Sequence, residues 1–337
     1  MNVLGIESSC DETSVAIISN DLLVANLISS QDFHAAFGGV VPELSSRAHL
    51  QIIIPLLKKA LKKSNLKLHQ IDLICATAGP GLIGALLVGF TFAKGLAYSL
   101  NKPFVAVNHI EGHIYSGFLM NEKPEFPYLV LVVSGGHTLL LLVESFTKVN
   151  QLGTTVDDAA GEAFDKVSKM LGFGYPGGPQ IQNAAKLGNS KKISFPIADL
   201  KDPYNFSFSG VKTSVLRYVQ ANFKDVNSIS AQDKNDIAAS FQKAVVNALT
   251  MKVENALNLF QVKSISLVGG VAANTELRNS FEDISKKLGI KLVIPNLEFC
   301  GDNAAMIAYR GLKSFEHGLV NDLDFSPYPG LTPQYFS

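Results

Sequence analysis

The feature that most constrains the fold of this 337-residue chain is an internal repeat of one secondary-structure plan. Each copy contains an apolar strand, a polar turn and a returning strand, followed later by another apolar strand, a Gly-rich turn and a helix. The first copy is predicted at residues 3–18 and 71–100, and the second at residues 128–144 and 264–288. A duplicated chain is expected to fold into two similar lobes with a cleft between them.

The length also favours two lobes, because 337 residues exceed the usual size of a single hydrophobic core. We place the N-terminal lobe at residues 1–118, completed by the C-terminal helical region at 303–330. The C-terminal lobe takes residues 119–302, with a long and mostly helical insertion at about 151–257. The predicted fold class is therefore α/β, with two duplicated lobes around a central cleft.

Composition narrows the class of protein. Hydrophobic residues make up 47% of the chain and charged residues 17%, which suits a soluble protein with a large core. Lys+Arg and Asp+Glu both number 29, so the net charge neither requires nor excludes a nucleic-acid partner. A basic run within residues 47–67 could contact phosphates, although a solvated helix face explains it equally well.

Other features indicate a cytoplasmic location. The three cysteines are widely separated, as expected for reduced thiols without a disulfide framework or a zinc knuckle. The N-terminus shows no signal-peptide pattern. The most apolar stretch, residues 79–100, contains several glycines and predicts a buried core helix over 82–100, not a membrane span.

Two histidines four residues apart, His109 and His113, form the main candidate ligand pair. Residues at i and i+4 lie on one face of a helix, and neutral imidazole is the commonest side-chain ligand of transition metals. The apolar run at 104–107 predicts a buried strand, so the pair follows a strand end, where α/β proteins bind ligands. Taken alone, the pair is equally compatible with two unrelated polar residues on a surface helix.

The acid in this motif argues against a zinc protease. Proteases of the His-Glu-x-x-His type carry the glutamate directly after the first histidine, whereas Glu111 lies two residues after His109. Two residues correspond to about 200° of helix, so Glu111 is expected to point away from the histidine face.

Asp302 is the candidate third ligand. Two histidines and one carboxylate form the facial triad typical of Fe(II), with Zn(II) as the competitor. Asp302 precedes the last predicted helix, residues 304–315, where it could instead serve as the N-cap. The metal role requires the fold to bring Asp302 to the two histidines from the opposite lobe.

Other polar residues have ordinary structural explanations. The turn at residues 7–13 offers hydroxyls and amides to a phosphate or carboxylate, but taken alone a polar hairpin tip explains it better. His34 and His49 are predicted to be surface or capping residues.

Six motifs follow one another in a recognisable order. They are GIESSCDET at 5–13, HIEGH at 109–113, VSGGHT at 133–138, GEAFDK at 161–166, YPGGP at 175–179 and GGVAAN at 269–274. Together they resemble the catalytic subunit of the tRNA N6-adenosine threonylcarbamoyltransferase (TsaD) family, formerly misnamed O-sialoglycoprotein endopeptidases. The resemblance is collinear from residue 3 to about residue 315.

The resemblance implies the actin/Hsp70/sugar-kinase (ASKHA) fold and a cytoplasmic enzyme. That enzyme would transfer a threonylcarbamoyl group from threonylcarbamoyl-adenylate to N6 of adenosine 37 in tRNAs reading codons that begin with A, releasing AMP. The implied bacterial partners are an inactive paralogue subunit and a small ATPase subunit, and no membrane is involved.

The resemblance also implies roles for individual residues. His109, His113 and Asp302 would bind one divalent metal per chain, Fe(II) or alternatively Zn(II). The implied adenylate-binding residues are Val132, Val133, Ser134, Gly135, Gly136, Asp165, Gly178 and Asn274. Glycine amides can approach a ligand closely, Asp165 can accept from ribose hydroxyls, and Asn274 can contact the nucleotide. We take Asp11 or Glu12 as a candidate proton acceptor.

The predicted chemistry is metal-assisted acyl transfer, in which the adenine amine attacks and AMP leaves. Two other classes of function are compatible with the fold. A sugar kinase or ATPase would use the turn at 7–13 around Mg²⁺, but it leaves the histidines and Asp302 without a role. A non-catalytic scaffold would bind nucleotide and partner proteins. Loss of tRNA modification on depletion, restored only by a metal-competent copy, would argue against it.

Overall fold

The computed structural model describes residues 1–330 and divides the chain into two compact units. Unit 1 contains Met1–Lys123 and the chain from Pro295 onwards, and unit 2 contains Pro124–Ile294. The sequence placed the lobe boundaries after residues 118 and 302. In the structure they follow Lys123 and Ile294, five and eight residues away. The difference has a packing cause, because Leu119 and Phe299 belong to an apolar cluster of unit 1.

Unit 1 begins with a five-stranded sheet and its helices. The elements are β1 (Asn2–Glu7), β2 (Glu12–Ser19), β3 (Leu22–Ser30), α1 (Pro42–Ser64), β4 (Leu73–Gly79), α2 (Ile83–Leu100), β5 (Phe104–Asn108) and α3 (His109–Tyr115). The sheet order is β3-β2-β1-β4-β5, in which β1, β4 and β5 run parallel. Their carboxyl ends therefore meet at one edge of the sheet.

Unit 2 repeats this order around its own sheet. Its elements are β6 (Tyr128–Val133), β7 (Thr138–Ser145), β8 (Lys148–Thr154), α4 (Ala160–Met170), α5 (Gly177–Ala185), α6 (Ser209–Asn222), α7 (Ala231–Leu257), β9 (Ser264–Val268), α8 (Thr275–Leu288) and β10 (Lys291–Val293). The sheet order is β10-β9-β6-β7-β8, with β6, β9 and β10 parallel. The last helix, α9 (Ala304–Glu316), belongs to unit 1.

The predicted duplication is confirmed by the two sheets of the described chain. In each unit a hairpin continues into a third antiparallel strand, and two parallel strands extend the sheet on the other side. The helix α7 lies between the third and fourth strands of its unit, as α1 does in unit 1. The segment without a counterpart is thus α4–α6, narrower than the predicted insertion at 151–257, because β8 and α7 belong to the repeated plan.

The apolar helix α2 packs against β4 and α1, as predicted for a core helix. By length and composition alone it could cross a membrane, and a third of that stretch is buried within the fold. Its buried face includes Leu86, Gly89, Phe90 and Ala93.

The close approach of α9 to β1 depends on Gly5. A methyl group at this position would overlap the Ala304 carbonyl oxygen and lie 2.8 Å from the Ala308 Cβ. We expect Gly5→Ala to lower the free energy of unfolding by about 2–3 kcal/mol, because backbone cannot yield as a flexible side chain can. Chemical denaturation would measure the loss.

The matched control for Gly5 is Gly95→Ala on α2. An added methyl at Gly95 meets nothing within 4 Å, so this variant should gain up to about 1 kcal/mol from helix propensity. Equal stabilities of the two variants would contradict the packing of α9 on β1.

Candidate active site

The predicted histidine pair lies on the short helix α3, which begins where β5 ends. The Asn108 side chain caps this helix, since its Oδ1 accepts from the amides of Ile110 at 2.8 Å and Glu111 at 3.1 Å. One helical turn brings the His109 and His113 rings to a centroid distance of 4.8 Å. Both rings are buried, so this is not the surface pair that the sequence left open.

Asp302 reaches the two imidazoles. Its Oδ1 lies 3.4 Å from His109 Nε2 and 3.1 Å from His113 Nε2, and the potential ligand atoms of the three residues all lie within 4.8 Å of one another. The α9 N-cap is Asn303, whose Oδ1 accepts from the Met306 amide at 3.1 Å. The Asp302 carboxylate is therefore not used in capping and faces the histidines.

The position of Asp302 corrects one expectation. All three residues belong to unit 1, whereas the sequence placed Asp302 in the lobe opposite the histidines. The physical reason is local: the Ala304 amide donates to Ser14 Oγ at 2.8 Å, which fixes the start of α9 against β2. The loop carrying Asp302 is thereby held at the same sheet as α3.

Glu111 points away from this cluster, as the spacing predicted. Its Oε2 accepts from Arg310 Nε on α9 at 2.7 Å. The Arg310 guanidinium also lies over the Tyr115 ring, 4.9 Å from its centroid. Glu111 thus ties α3 to α9 and is badly placed to activate water at the histidines.

Glu7 is a site residue that the sequence reasoning missed. It is fully buried at the end of β1, and its Oε2 lies 3.1 Å from His109 Nδ1 and accepts from the Thr77 hydroxyl at 2.6 Å. The Ser9 amide donates to its other oxygen at 2.5 Å. The available signal was an acid directly after the apolar run 3–6. That run forms β1, whose end meets the ends of β4 and β5.

The Glu7 contact orients His109 toward Asp302. A carboxylate at Nδ1 fixes the imidazole tautomer and leaves Nε2 as the ligand atom, a common arrangement in metal sites. We expect Glu7→Gln to weaken metal binding about 10–100-fold while the hydrogen bond with Thr77 persists. Titration with Co(II) would measure the affinity, and Gln70→Glu, at an exposed position, is the control for a charge change.

Burial and charge act strongly on this cluster. Burial favours neutral His109, but Asp302 and Glu7 outweigh it and raise its pKa well above the usual value. Burial likewise opposes the charge of Asp302, yet His109 and His113 hold its pKa well below the usual value. Burial, Asp302 and Asp11 together raise the pKa of Glu12 to about 10. Such a concentration of buried and half-buried acids favours a bound cation.

The donor set fits a transition metal. Neighbouring ligands about 2.1 Å from one ion are separated by about 3.0–3.4 Å. The two N–O distances match this range at 3.1 and 3.4 Å, whereas the three atoms as a set lie within 4.8 Å, so a bound ion would draw the two imidazoles closer together. Two imidazole nitrogens with one carboxylate oxygen also match the preferences of Fe(II) and Zn(II). Within the described residues, His113 Nδ1 has no hydrogen-bond partner, so Nε2 alone links His113 to the cluster.

His49 contacts both sides of the turn that carries Asp11 and Glu12. The His49 Nε2 lies 3.0 Å from the Cys10 carbonyl, and its Nδ1 lies 2.7 Å from Thr13 Oγ1. His34 bonds to Gln31 at 2.9 Å. Both histidines are buried, so the predicted surface location was wrong. The alternative, a capping role, is compatible with His34, whose Nδ1 accepts from the Val41 amide at the start of α1 at 3.3 Å. Burial lowers the pKa of His49, consistent with a neutral ring that donates from one nitrogen and accepts at the other.

In unit 2, the residues predicted to bind adenylate lie on several elements: Val132 to Gly136 at and after the end of β6, Asp165 on α4, Gly178 on α5 and Asn274 at the start of α8. Val132 and Val133 end β6 with buried side chains, and Ser134 opens the turn that leads to β7. Gly161 packs on this turn and donates its amide to the Ser134 carbonyl at 3.2 Å. A methyl group at Gly135, Gly136 or Gly178 would meet nothing within 4 Å, so these backbones border open space.

Two further residues of this set have protein partners. Asp165 accepts from the Gly177 amide at 2.7 Å and so fixes the start of α5 beside α4. Asn274 caps α8 by accepting from the Leu277 amide at 3.0 Å, and its Nδ2 donates to Gln242 at 2.7 Å. The predicted helix start at Asn274 is confirmed, and the Asn274 side chain stabilises the fold as the cap of α8.

Sequence comparison decides the family. The model of the TsaD family, described as tRNA N6-adenosine threonylcarbamoyltransferase, matches residues 22–309. A curated relative of that name from Thermosipho africanus is 52% identical over 334 residues, covering 98% of this chain and 99% of the relative. Another, from Symbiobacterium thermophilum, is 46% identical, covering 98% and 96%.

The chain belongs to the tRNA N6-adenosine threonylcarbamoyltransferase family. It is thus a transferase of tRNA modification, as the motifs predicted. Two solved structures share the architecture of this family member. Component A of the Acidaminococcus fermentans (R)-2-hydroxyglutaryl-CoA dehydratase aligns with a TM-score of 0.54 at 16% identity, covering 93% of this chain and 98% of that one. HypF of T. kodakarensis aligns with a TM-score of 0.62 at 15% identity, covering 94% and 48%. These likenesses concern the fold, and they confirm the predicted ASKHA class.

Proposed function

We propose that this chain transfers the threonylcarbamoyl group from threonylcarbamoyl-adenylate to N6 of adenosine 37 in tRNAs reading codons that begin with A, releasing AMP. The observation that carries the proposal is the convergence of His109, His113 and Asp302 in a member of a tRNA-modifying transferase family. A sugar kinase would leave these three residues without a role.

The triad would hold one divalent metal, Fe(II) in preference to Zn(II). When bound, such an ion would act as a Lewis acid toward the acyl carbonyl or anchor the anionic groups of the donor. The chain's own contribution is to set the ligand atoms. Glu7 orients His109, the Asn108 cap fixes the start of α3, and Ser14 holds the loop of Asp302.

The adenylate would be held by unit 2. Gly135, Gly136 and Gly178 present backbone without side chains, which suits close approach by a phosphate or a ribose. Gly178 also lies in the first turn of α5, where amides favour an anion. The Asp165 carboxylate, which accepts from the Gly177 amide, would recognise a ribose hydroxyl.

Proton transfer would fall to the turn at residues 10–12. Adenine N6 is a weak nucleophile, so positioning of the reactants should supply much of the rate. With a pKa of about 10, Glu12 holds its proton at neutral pH unless a cation balances the neighbouring acids. The proposed metal would supply such a cation, so Asp11 and Glu12 are both candidate acceptors.

The partners follow from the same proposal. A tRNA would be the acceptor, and the exposed lysines of α1, including Lys58, Lys62 and Lys63, offer contacts for its phosphates. The proposed protein partners are a small ATPase subunit and an inactive paralogue, both in the cytoplasm.

One exposed apolar surface suits the paralogue. It consists of Leu50 and Ile54 on α1 with Ile83 and Leu87 on α2, and these side chains are 44–67% exposed. A paralogue of the same fold would present an equivalent helix pair, so the two surfaces could pair about a pseudo-twofold axis.

The decisive experiment is mass spectrometry of position-37 nucleosides. Purified chain would be incubated with unmodified tRNA, threonylcarbamoyl-adenylate, Fe(II) and the candidate partners. We expect the modified adenosine to form and AMP to be released in equal amount. Failure with every partner present, while this chain alone hydrolyses ATP, would favour the kinase or ATPase alternative.

A further inference from the structure

The segment after α9 runs back over the sheet of unit 1. The Asn321 amide donates to the Phe104 carbonyl at 2.9 Å, and its Oδ1 accepts from the Ala106 amide at 2.9 Å, so it pairs with the edge strand β5. Further on, the Phe325 carbonyl accepts from Lys94 Nζ at 3.0 Å. These contacts hold residues 321–330, which we call the C-terminal strap, against β5 and α2.

The strap then crosses the carboxyl end of β4. The Tyr328 amide donates to the Ala78 carbonyl at 2.8 Å, and the Pro329 carbonyl accepts from the Gly81 amide at 3.1 Å. Between these two bonds, Gly79 lies so close to Tyr328 that any side chain there would collide with its backbone. The strap is therefore fixed at the same edge of the sheet from which α3 departs.

At this point Tyr328 reaches the cap of α3. The Tyr328 hydroxyl accepts from Asn108 Nδ2 at 3.1 Å. The orientation of the Asn108 amide is determined by its other partners, because Oδ1 receives two backbone N–H groups and Nδ2 must be the donor. Asn108 is 5% exposed, so water cannot readily replace the tyrosine.

We propose that Tyr328 is a positioning residue of the transferase site, acting through the Asn108 cap to fix the start of α3 and the direction of His109. The inference rests on the function proposed above. Its physical basis is the length of α3: a helix of seven residues has little stability of its own, so its first turn depends on its cap. His109 directly follows the cap, and a rotation of Asn108 therefore moves its ring.

The test compares Tyr328→Phe with the wild-type chain in the complete tRNA-modification reaction. Removing the hydroxyl should lower kcat about three- to tenfold, the range to which one neutral hydrogen bond corresponds, with the KM for tRNA changed less than about twofold. Co(II) serves as a probe of the site, and its visible absorption band should shift because the His109 ligand is displaced.

Two control variants separate positioning from stability. Tyr98→Phe removes a hydroxyl from a tyrosine that is 79% exposed on α2, and it should leave kcat, KM and the Co(II) band unchanged. Asn321→Ala loosens the strap at β5 without touching the hydroxyl, and it should lower the melting temperature more than Tyr328→Phe does.

The outcomes divide as follows. A lower kcat together with a shifted Co(II) band, at a melting temperature close to wild type, supports the proposal. An unchanged Co(II) band or an unchanged kcat in Tyr328→Phe overturns it, provided that the wild-type chain is active. A wild-type chain that neither binds Co(II) nor modifies tRNA would overturn both this inference and the function on which it rests.

Discussion

Replacing His109 by alanine should abolish tRNA modification while the fold persists. The substitution removes one of three ligand atoms and should lower turnover by a factor of about 10³ or more, because a preorganised site loses the group that stabilises developing charge. The buried Glu7 keeps its bonds to Thr77 and Ser9, so no acid is left without a partner. Nucleoside mass spectrometry would measure turnover, and elemental analysis the bound metal.

His69→Ala is the matched control for this experiment. His69 is exposed in unit 1 and away from the cluster, so its loss should change neither metal content nor turnover. Retention of full activity by His109→Ala, after chelation has removed all metal, would refute the metal role of α3. Thermal unfolding of both variants would show that each is folded.

Asp302→Asn is expected to have an effect of similar size. Asparagine keeps the volume of the side chain but removes the charge that faces His109 and His113, so metal affinity should fall at least about 100-fold and turnover with it. The cluster has two interpretations, which this variant helps to separate. In the first, the three residues bind a metal. In the second, a protonated His109 forms an ion pair with Asp302 and Glu7, and no metal is bound.

Chelation distinguishes these interpretations. If the metal is required, chelated wild-type chain should lose activity and regain it with Fe(II), whereas Asp302→Asn should not recover. If the cluster is only an ion pair, chelation should leave the wild-type chain unaffected. Asp21→Asn, at an exposed position of the turn between β2 and β3, controls for the loss of one negative charge.

Much of the fold follows from patterns that are local in the chain. Apolar runs at 3–6 and 128–133, each followed by a polar turn and a returning strand, predicted both hairpins. The domain boundaries and the insertion were less accurate. A long helix such as α7 looks the same in sequence whether it belongs to a repeat or to an insertion, and only its place between β8 and β9 distinguishes the two.

The sequence by itself determined what depends on helical and strand periodicity. It placed His109 and His113 on one face of a helix and turned Glu111 away from them, because 3.6 residues make a turn wherever the helix lies. It also identified the family, since six motifs keep their order and spacing over most of the chain.

Tertiary structure alone decided which distant residues meet. Glu7 reaches His109 because β1, β4 and β5 end at one edge, and Asp302 joins them because α9 packs on that sheet with Asn303 as its cap. His49 and Tyr328 entered the site in the same way, through contacts across 36 and 220 positions of sequence. Such contacts depend on the order of strands in a sheet, which cannot be predicted from local periodicity of the sequence.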